Sequence, residues 1–221
     1  MADELNWLPE HLRESYAEAM VKKAVWEAES YQYAVQTRVA REGSRFYPFM
    51  TPIMDETVDT AMEVLSTWQR YDVNKPVQIL LQSPGGIILS GFGFYDFLLD
   101  FAMRTPLIVE AGGYCASMAA TVLQAGTTRA ARANSRIMLH QASTFTQAKS
   151  TTSVAQMRDQ IEELEALQRH LEEILVARAH SLTLERLQSE TLKKDWWIPA
   201  PLALELGIID RIFAPGERFV P

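Results

Sequence analysis

The chain has 221 residues, 48% of them hydrophobic, enough to bury one sizeable α/β core and too few for two full domains. Its 21 Lys and Arg against 28 Asp and Glu give a formal net charge of -7, an acidic balance that repels phosphate backbones and excludes nucleic acid as the expected partner. A single cysteine rules out an intrachain disulfide, and no paired Cys or His spacing offers a structural zinc. Neither a metal nor a cofactor is therefore expected, and a reducing cytoplasm is the expected compartment.

The opening stretch MADELNWLPEHLRESYAEAM lacks the basic head and continuous apolar run of a secretory signal. The longest apolar stretch, residues 107 to 126, is interrupted by Glu110, Gly112, Gly113 and Gln124, so no membrane association is expected. Residues 1–43 read as a helical arm, with helix-forming composition from Leu8 to about Arg41, Pro9 near its start and Gly43 past its end. RFYPFM then reads as an edge strand interrupted by proline, and DETVDTAMEVLSTWQRY as an amphipathic helix capped by Asp55 or Thr57.

From there the pattern is regular. PVQILLQ reads as a buried strand ending in the turn SPGG, ILSGFGFYDFLLDFAM as a helix, PLIVEAGG as a second strand and ASMAATVLQAG as a second helix. Alternation at this spacing implies parallel βαβ units, whose ligands sit beyond the carboxyl ends of the strands. Both glycine pairs, Gly85 with Gly86 and Gly112 with Gly113, are expected at those ends. Arg136 to Leu139 forms a further short strand that delivers His140. Residues 152–180 read as a long helix with Val154, Met157, Ile161, Leu164, Leu171 and Leu175 at three- and four-residue steps. At 1.5 Å per residue that helix is about 40 Å long, more than one face of such a domain needs, which points to a role between subunits. LTLERLQSE, APLALELG and the strand IIDRIF close the domain, and residues 214–221 are expected to be a loose tail.

A serine nucleophile needs a base to take its proton, a group to orient that base, and backbone donors for the developing oxyanion. Bases are few: His11, His170 and His180 lie in predicted helices among charged residues, whereas His140 ends an apolar strand. Ser117 follows a strand-to-helix turn near a helix N-terminus, resembling a nucleophile elbow in mechanics although GYCASMA does not match G-x-S-x-G. The turn SPGG brings a second set of N–H groups from the adjacent loop. Cys115 competes with Ser117 as a nucleophile but also fits a small buried residue. For the orienting carboxylate, Asp159, Asp195 and Asp210 stay open on these grounds.

QSPGGIILSGFGFYDFL, GGYCASMAATVLQAG, NSRIMLHQ and DWWIPAPLALELGIIDRIF, in this order and spacing, resemble the ClpP family of Clp protease proteolytic subunits, from about Ser44 to Phe213. The resemblance implies a crotonase-like α/β fold for residues 44–213, with 152–180 as the protruding handle helix. It implies Ser117 as nucleophile, His140 as general base and Asp195 as the orienting group. Gly86 and Met118 would supply the oxyanion-hole amides, and Ile87 and Ile88 a short strand that pairs with substrate backbone. It further implies a self-compartmentalising serine endopeptidase of two stacked heptameric rings, a homo-oligomeric tetradecamer acting on unfolded polypeptides or peptides, with a Clp-type ATPase as candidate partner.

Three stretches depart from the family's pattern. QASTFTQAKS, after His140, has no glycine where the family is glycine-rich. Lys193 and Lys194 stand where an arginine usually precedes the aspartate, and lysine is the poorer bidentate donor. Residues 1–43 do not resemble the segment that meets the ATPase. These departures leave two other readings: a catalytically weak ring subunit assembling with an active relative, or a phage-type prohead peptidase on the same fold.

Overall fold

The computed structural model of the protein describes residues 45–143 and 153–217. The arm expected at 1–43, residues 144–152 and residues 218–221 lie outside the described residues. The chain divides into two compact units, residues 1–43 and 44–221, and every described strand and helix belongs to the second.

Among the described residues, seven strands form one sheet. Strands β1 (Phe46–Phe49), β2 (Val77–Ser83), β3 (Leu107–Ala116), β4 (Thr128–Arg132) and β7 (Arg211–Phe213) run parallel in the order β1-β2-β3-β4-β7. Strand β5 (Arg136–Leu139) pairs in parallel with the far end of β3, and β6 (Trp196–Pro199) adds to β5 in the antiparallel sense. The edge position of β1 accommodates Pro48, which has no N–H for a ladder.

Helices α1 (Asp55–Tyr71) and α2 (Ile88–Ala102) follow β1 and β2, and α3 (Met118–Val122) follows β3. Their buried faces carry Val58, Leu65 and Trp68 from α1 and Phe94, Leu98 and Phe101 from α2; Phe94 stacks on Phe49 with ring centroids 5.4 Å apart. The cap of α1 falls one residue earlier than expected, at Met54, whose amide donates to Thr57 Oγ1 at 3.1 Å. Arg45 donates to the carbonyls of Trp68, Asp72 and Lys75, tying the end of α1 and the turn after it to the start of β1.

The second glycine pair does not end its strand. Strand β3 continues through Gly112 and Gly113 to Ala116, and the register against β2 passes from Leu81↔Ala111 to Ser83↔Cys115. Strand β3 thus advances four residues while β2 advances two, a bulge centred on the glycines. Before the bulge β3 pairs with β4, from Ile108 to Ala111; after it β3 pairs with β5, from Tyr114 to Ala116.

Two strands escape sequence reading. In β4 the core-facing residues are Ala130 and Ala131, both fully buried but small and helix-favouring. Trp196–Pro199 reads as a loop because of its proline, yet it forms β6 at the sheet's edge. The long helix α4 occupies Val154–Ala177, and α5 (Leu184–Thr191) and α6 (Ala200–Leu206) follow. Beyond β7 the chain is not loose up to Glu217: the Glu217 carboxylate accepts the Ala214 N–H at 2.8 Å and pairs with Arg211. No helix among the described residues is long and apolar enough to cross a membrane.

An ion pair between a buried arginine and a partly exposed carboxylate locks β4 to the residue before β7. Arg129 is 3% exposed; its Nε donates to Asp210 Oδ2 at 3.1 Å, and its backbone N–H donates to the same oxygen at 2.7 Å. Burial alone would push the Asp210 carboxyl up, but the Arg129 hydrogen bonds and charge outweigh it and hold it below its ordinary value of 3.8. A depressed carboxylate stabilises the fold fully above its unfolded value and loses that contribution as pH falls through the folded one. Asp210→Asn is therefore expected to lower stability at pH 7 by about 1 kcal/mol, the worth of hydrogen bonds to a charged group reduced by solvent screening of the exposed carboxylate. In urea titrations the gap between wild type and variant should persist down to pH 3.8 and narrow below it.

Candidate active site

Strand register assembles the site. Ala116 at the end of β3 lies opposite Met138 of β5, and the next residue, Ser117, donates its N–H to the Met138 carbonyl at 2.8 Å. Leu139 lies opposite Trp196 of antiparallel β6, so the following residue, His140, comes opposite Asp195, the residue before Trp196. Ser117, His140 and Asp195 thus stand side by side at three neighbouring strand ends.

Ser117 has φ 55° and ψ −129°, a conformation that costs a non-glycine residue on the order of 1–3 kcal/mol. Bonds on both sides hold it there: its amide to Met138, and its carbonyl accepting from the Ala120 N–H at 2.9 Å. The side chain half-emerges from the fold, and its Oγ is 2.7 Å from His140 Nε2. His140 Nδ1 lies 3.7 Å from Asp195 Oδ1, an ion-pair distance rather than a hydrogen bond, and the Asp195 side chain is 57% exposed. Of the other carboxylates considered, Asp159 lies on an exposed part of α4 and Asp210 is engaged with Arg129.

Cys115 is fully buried, and burial pushes its thiol strongly upward, so it stays protonated and out of reach of solvent.

The loop after β2 closes against Ser117. Gly85 has φ 90°, and a Cβ there would meet the Ala116 carbonyl and Ser117 Cβ at 2.7 Å. Gly86 has φ 156°, and a Cβ would lie 2.1 Å from the Ile53 carbonyl oxygen. Ile53 donates to the Gly85 carbonyl at 2.8 Å and accepts from the Ile87 amide at 2.9 Å. The amides of Gly86 and Met118 donate to no acceptor among the described residues.

Ile87 and Ile88 do not form a strand. Gly86 makes one isolated bridge to Ile53, and α2 begins at Ile88, with the amide of Ile87 taken by Ile53. Both isoleucines nevertheless line a cavity of about 650 Å³ that also reaches Gly86, Ser117, Met118 and His140. Its far wall is α4, where Gln168 Oε1 accepts the Ala142 N–H at 2.5 Å and so ties the segment after His140 to that helix. In the sequence Gln168 reads only as a gap in the apolar stripe. Its partner on the loop is a backbone amide, which leaves no trace in residue types.

Further down α4, Arg178 donates to the carbonyls of Gln124 and Gly126 at 2.7 and 2.5 Å, anchoring the end of the helix to the turn that follows α3. Among the described residues no group of three or more His, Cys, Asp or Glu is placed to hold a metal ion.

Gly85→Ala combines a left-handed conformation, costing roughly 1–2 kcal/mol, with a clash against backbone beside Ser117. It is expected to lower the thermal midpoint by at least about 3 °C, read by calorimetry. A crystal structure of the variant should show Ser117 Oγ displaced from His140.

A sequence model of the Clp protease family matches residues 27–216. The match starts ahead of Ser44, where the motifs first show the likeness, and so includes part of the expected arm. The ATP-dependent Clp protease proteolytic subunit of Porphyromonas gingivalis is 32% identical over 176 residues, covering 76% of this chain and 73% of that protein. The ATP-dependent Clp protease proteolytic subunit 1 of Salinibacter ruber is 27% identical over 187 residues, covering 84% and 76%. Together with the parallel-rich α/β sheet, these matches establish that the chain belongs to the Clp protease family.

Proposed function

We propose that this chain is a serine-type endopeptidase subunit that hydrolyses unfolded polypeptides or peptides through an acyl-enzyme at Ser117. The observation that carries the reading is the 2.7 Å contact between Ser117 Oγ and His140 Nε2 at the mouth of a largely apolar cavity. His140 takes the Ser117 proton as Oγ attacks the scissile carbonyl, then returns it to the leaving amine; water reverses the sequence to release the acyl group. Asp195 orients His140 and stabilises its positive charge. The amides of Gly86, in the turn after β2, and Met118, at the start of α3, which donate to no acceptor among the described residues, receive the oxyanion. Family membership and the names of both relatives support the same assignment.

Assembly belongs to the same proposal. Val154, Met157 and Ile161 form an exposed apolar stripe on the first half of α4, each more than half accessible, and a partner subunit would cover it. Stacked heptameric rings would enclose the sites and admit only extended chains, and a Clp-type ATPase that feeds such chains is the fitting partner.

The 3.7 Å separation between His140 and Asp195 favours a second reading, a subunit whose triad is weak unless a neighbour tightens it. The two readings differ in the active fraction of purified homomeric protein.

Ser117→Ala should lower kcat for a fluorogenic peptide by at least about 10³-fold, the scale of losing a triad nucleophile, while native mass spectrometry gives the same oligomer as wild type. Undiminished hydrolysis would refute the assignment. A monomer under all conditions would refute the compartment.

A further inference from the structure

Where helices α4 and α5 wall the cavity beside Ser117, the lining is mostly leucine: Leu164, Leu167, Leu171 and Leu175 from α4 and Leu187 from α5. Glu172 breaks that pattern. It is 5% exposed and lines the same cavity. Its Oε1 accepts from Gln168 Nε2 at 2.7 Å and its Oε2 from Gln188 Nε2 at 2.8 Å. A second depression on the surface shares Ala142, Leu164, Gln168 and Glu172, so this relay is the partition between the two.

Both donors to Glu172 are neutral amides. Among the described residues no Lys, Arg or His nitrogen lies within 4.0 Å of its carboxylate. A carboxylate withdrawn from water is costly without a countercharge; amide donors fix its position without neutralising it. Each oxygen keeps lone-pair capacity beyond the one bond it accepts. The result is a preorganised carboxylate acceptor on the leucine-rich wall of the cavity.

Resting on the peptidase reading, we propose that Glu172 is a specificity-determining residue. The cavity takes a substrate side chain with an aliphatic stem and a cationic end, lysine or arginine, on the residue whose carbonyl Ser117 attacks. The leucines cover the methylene stem, and Glu172 receives the ammonium or guanidinium group. A site built around a buried charged acceptor discriminates against side chains that leave it unpaired more strongly than a purely apolar pocket discriminates by size.

The test uses the assembled full-length protein and fluorogenic peptides identical except for Leu, Gln, Lys or Arg at that position. Wild type should cleave the Lys and Arg peptides with kcat/KM at least about tenfold above the Gln peptide, which has a polar end and no charge. Glu172→Gln should lower the Lys-to-Leu ratio of kcat/KM at least about tenfold, chiefly through KM, and Glu172→Asp, which keeps the charge, should restore part of it. Binding of fluorescein-labelled Lys and Leu peptides to Ser117→Ala protein, read by anisotropy, reports the same preference without chemistry. A Leu preference in wild type, or a ratio unchanged by Glu172→Gln, overturns the inference while leaving the peptidase reading intact. A Lys preference in binding with no hydrolysis of any peptide by wild type overturns the peptidase reading and supports the pocket. Neither hydrolysis nor preference overturns both.

Discussion

At Gly112 and Gly113, strand β3 leaves β4 and takes β5 as its neighbour, and the position of every candidate catalytic group depends on that exchange. With β5 hydrogen-bonded to the end of β3, the chain leaving β5 delivers His140 beside Ser117. With β6 antiparallel to β5, the chain entering β6 delivers Asp195 on the other side of His140. Three side chains far apart in sequence become neighbours through backbone register alone, before any contact between them forms. The two additional residues of the bulge carry the end of β3 across to its second partner, so their loss would disturb the whole constellation.

Local strain and burial then differentiate the residues. Ser117 is held in an unfavourable backbone conformation by its bonds to Met138 and Ala120; the turn after β2 fits against it only because Gly85 carries no Cβ, and against Ile53 only because Gly86 carries none. The stiffness of this corner sets the 2.7 Å approach to His140, whereas Asp195, exposed at the start of an edge strand, lies at a looser 3.7 Å. Two residues from Ser117, Cys115 is fully buried in the sheet and its thiol is held protonated. On the other side of the cavity, Gln168 and Glu172 link helix α4 to the segment after His140 and give the pocket its only buried carboxylate among the residues that line it. The helix expected to join subunits is thus also a wall of the cavity beside Ser117.

Much of this is legible in the residues themselves. A long apolar strand ending in the SPGG turn, and a histidine terminating a short apolar strand, are strong patterns that packing does not override. The misses share a cause. Strand β4 is built on alanines and β6 on tryptophans beside a proline, so neither carries the alternation of a strand. The glycine pair in β3 reads as a turn because a bulge within a ladder and a turn after it use the same residues. The helix reading of ILSGFGFYDFLLDFAM holds from Ile88 onward, and the pairing of Gln168 with a backbone amide depends on tertiary placement that no spacing in the chain encodes.

The proposed chemistry stands or falls with Ser117 as the one activated nucleophile of this chain. Treatment of the full-length protein with a fluorophosphonate, followed by peptide mapping by mass spectrometry, addresses it most directly. The expected result is a single adduct on Ser117 that disappears in a His140→Ala variant. An adduct on Cys115, an adduct that survives loss of His140 at an undiminished rate, or no adduct at all would contradict it.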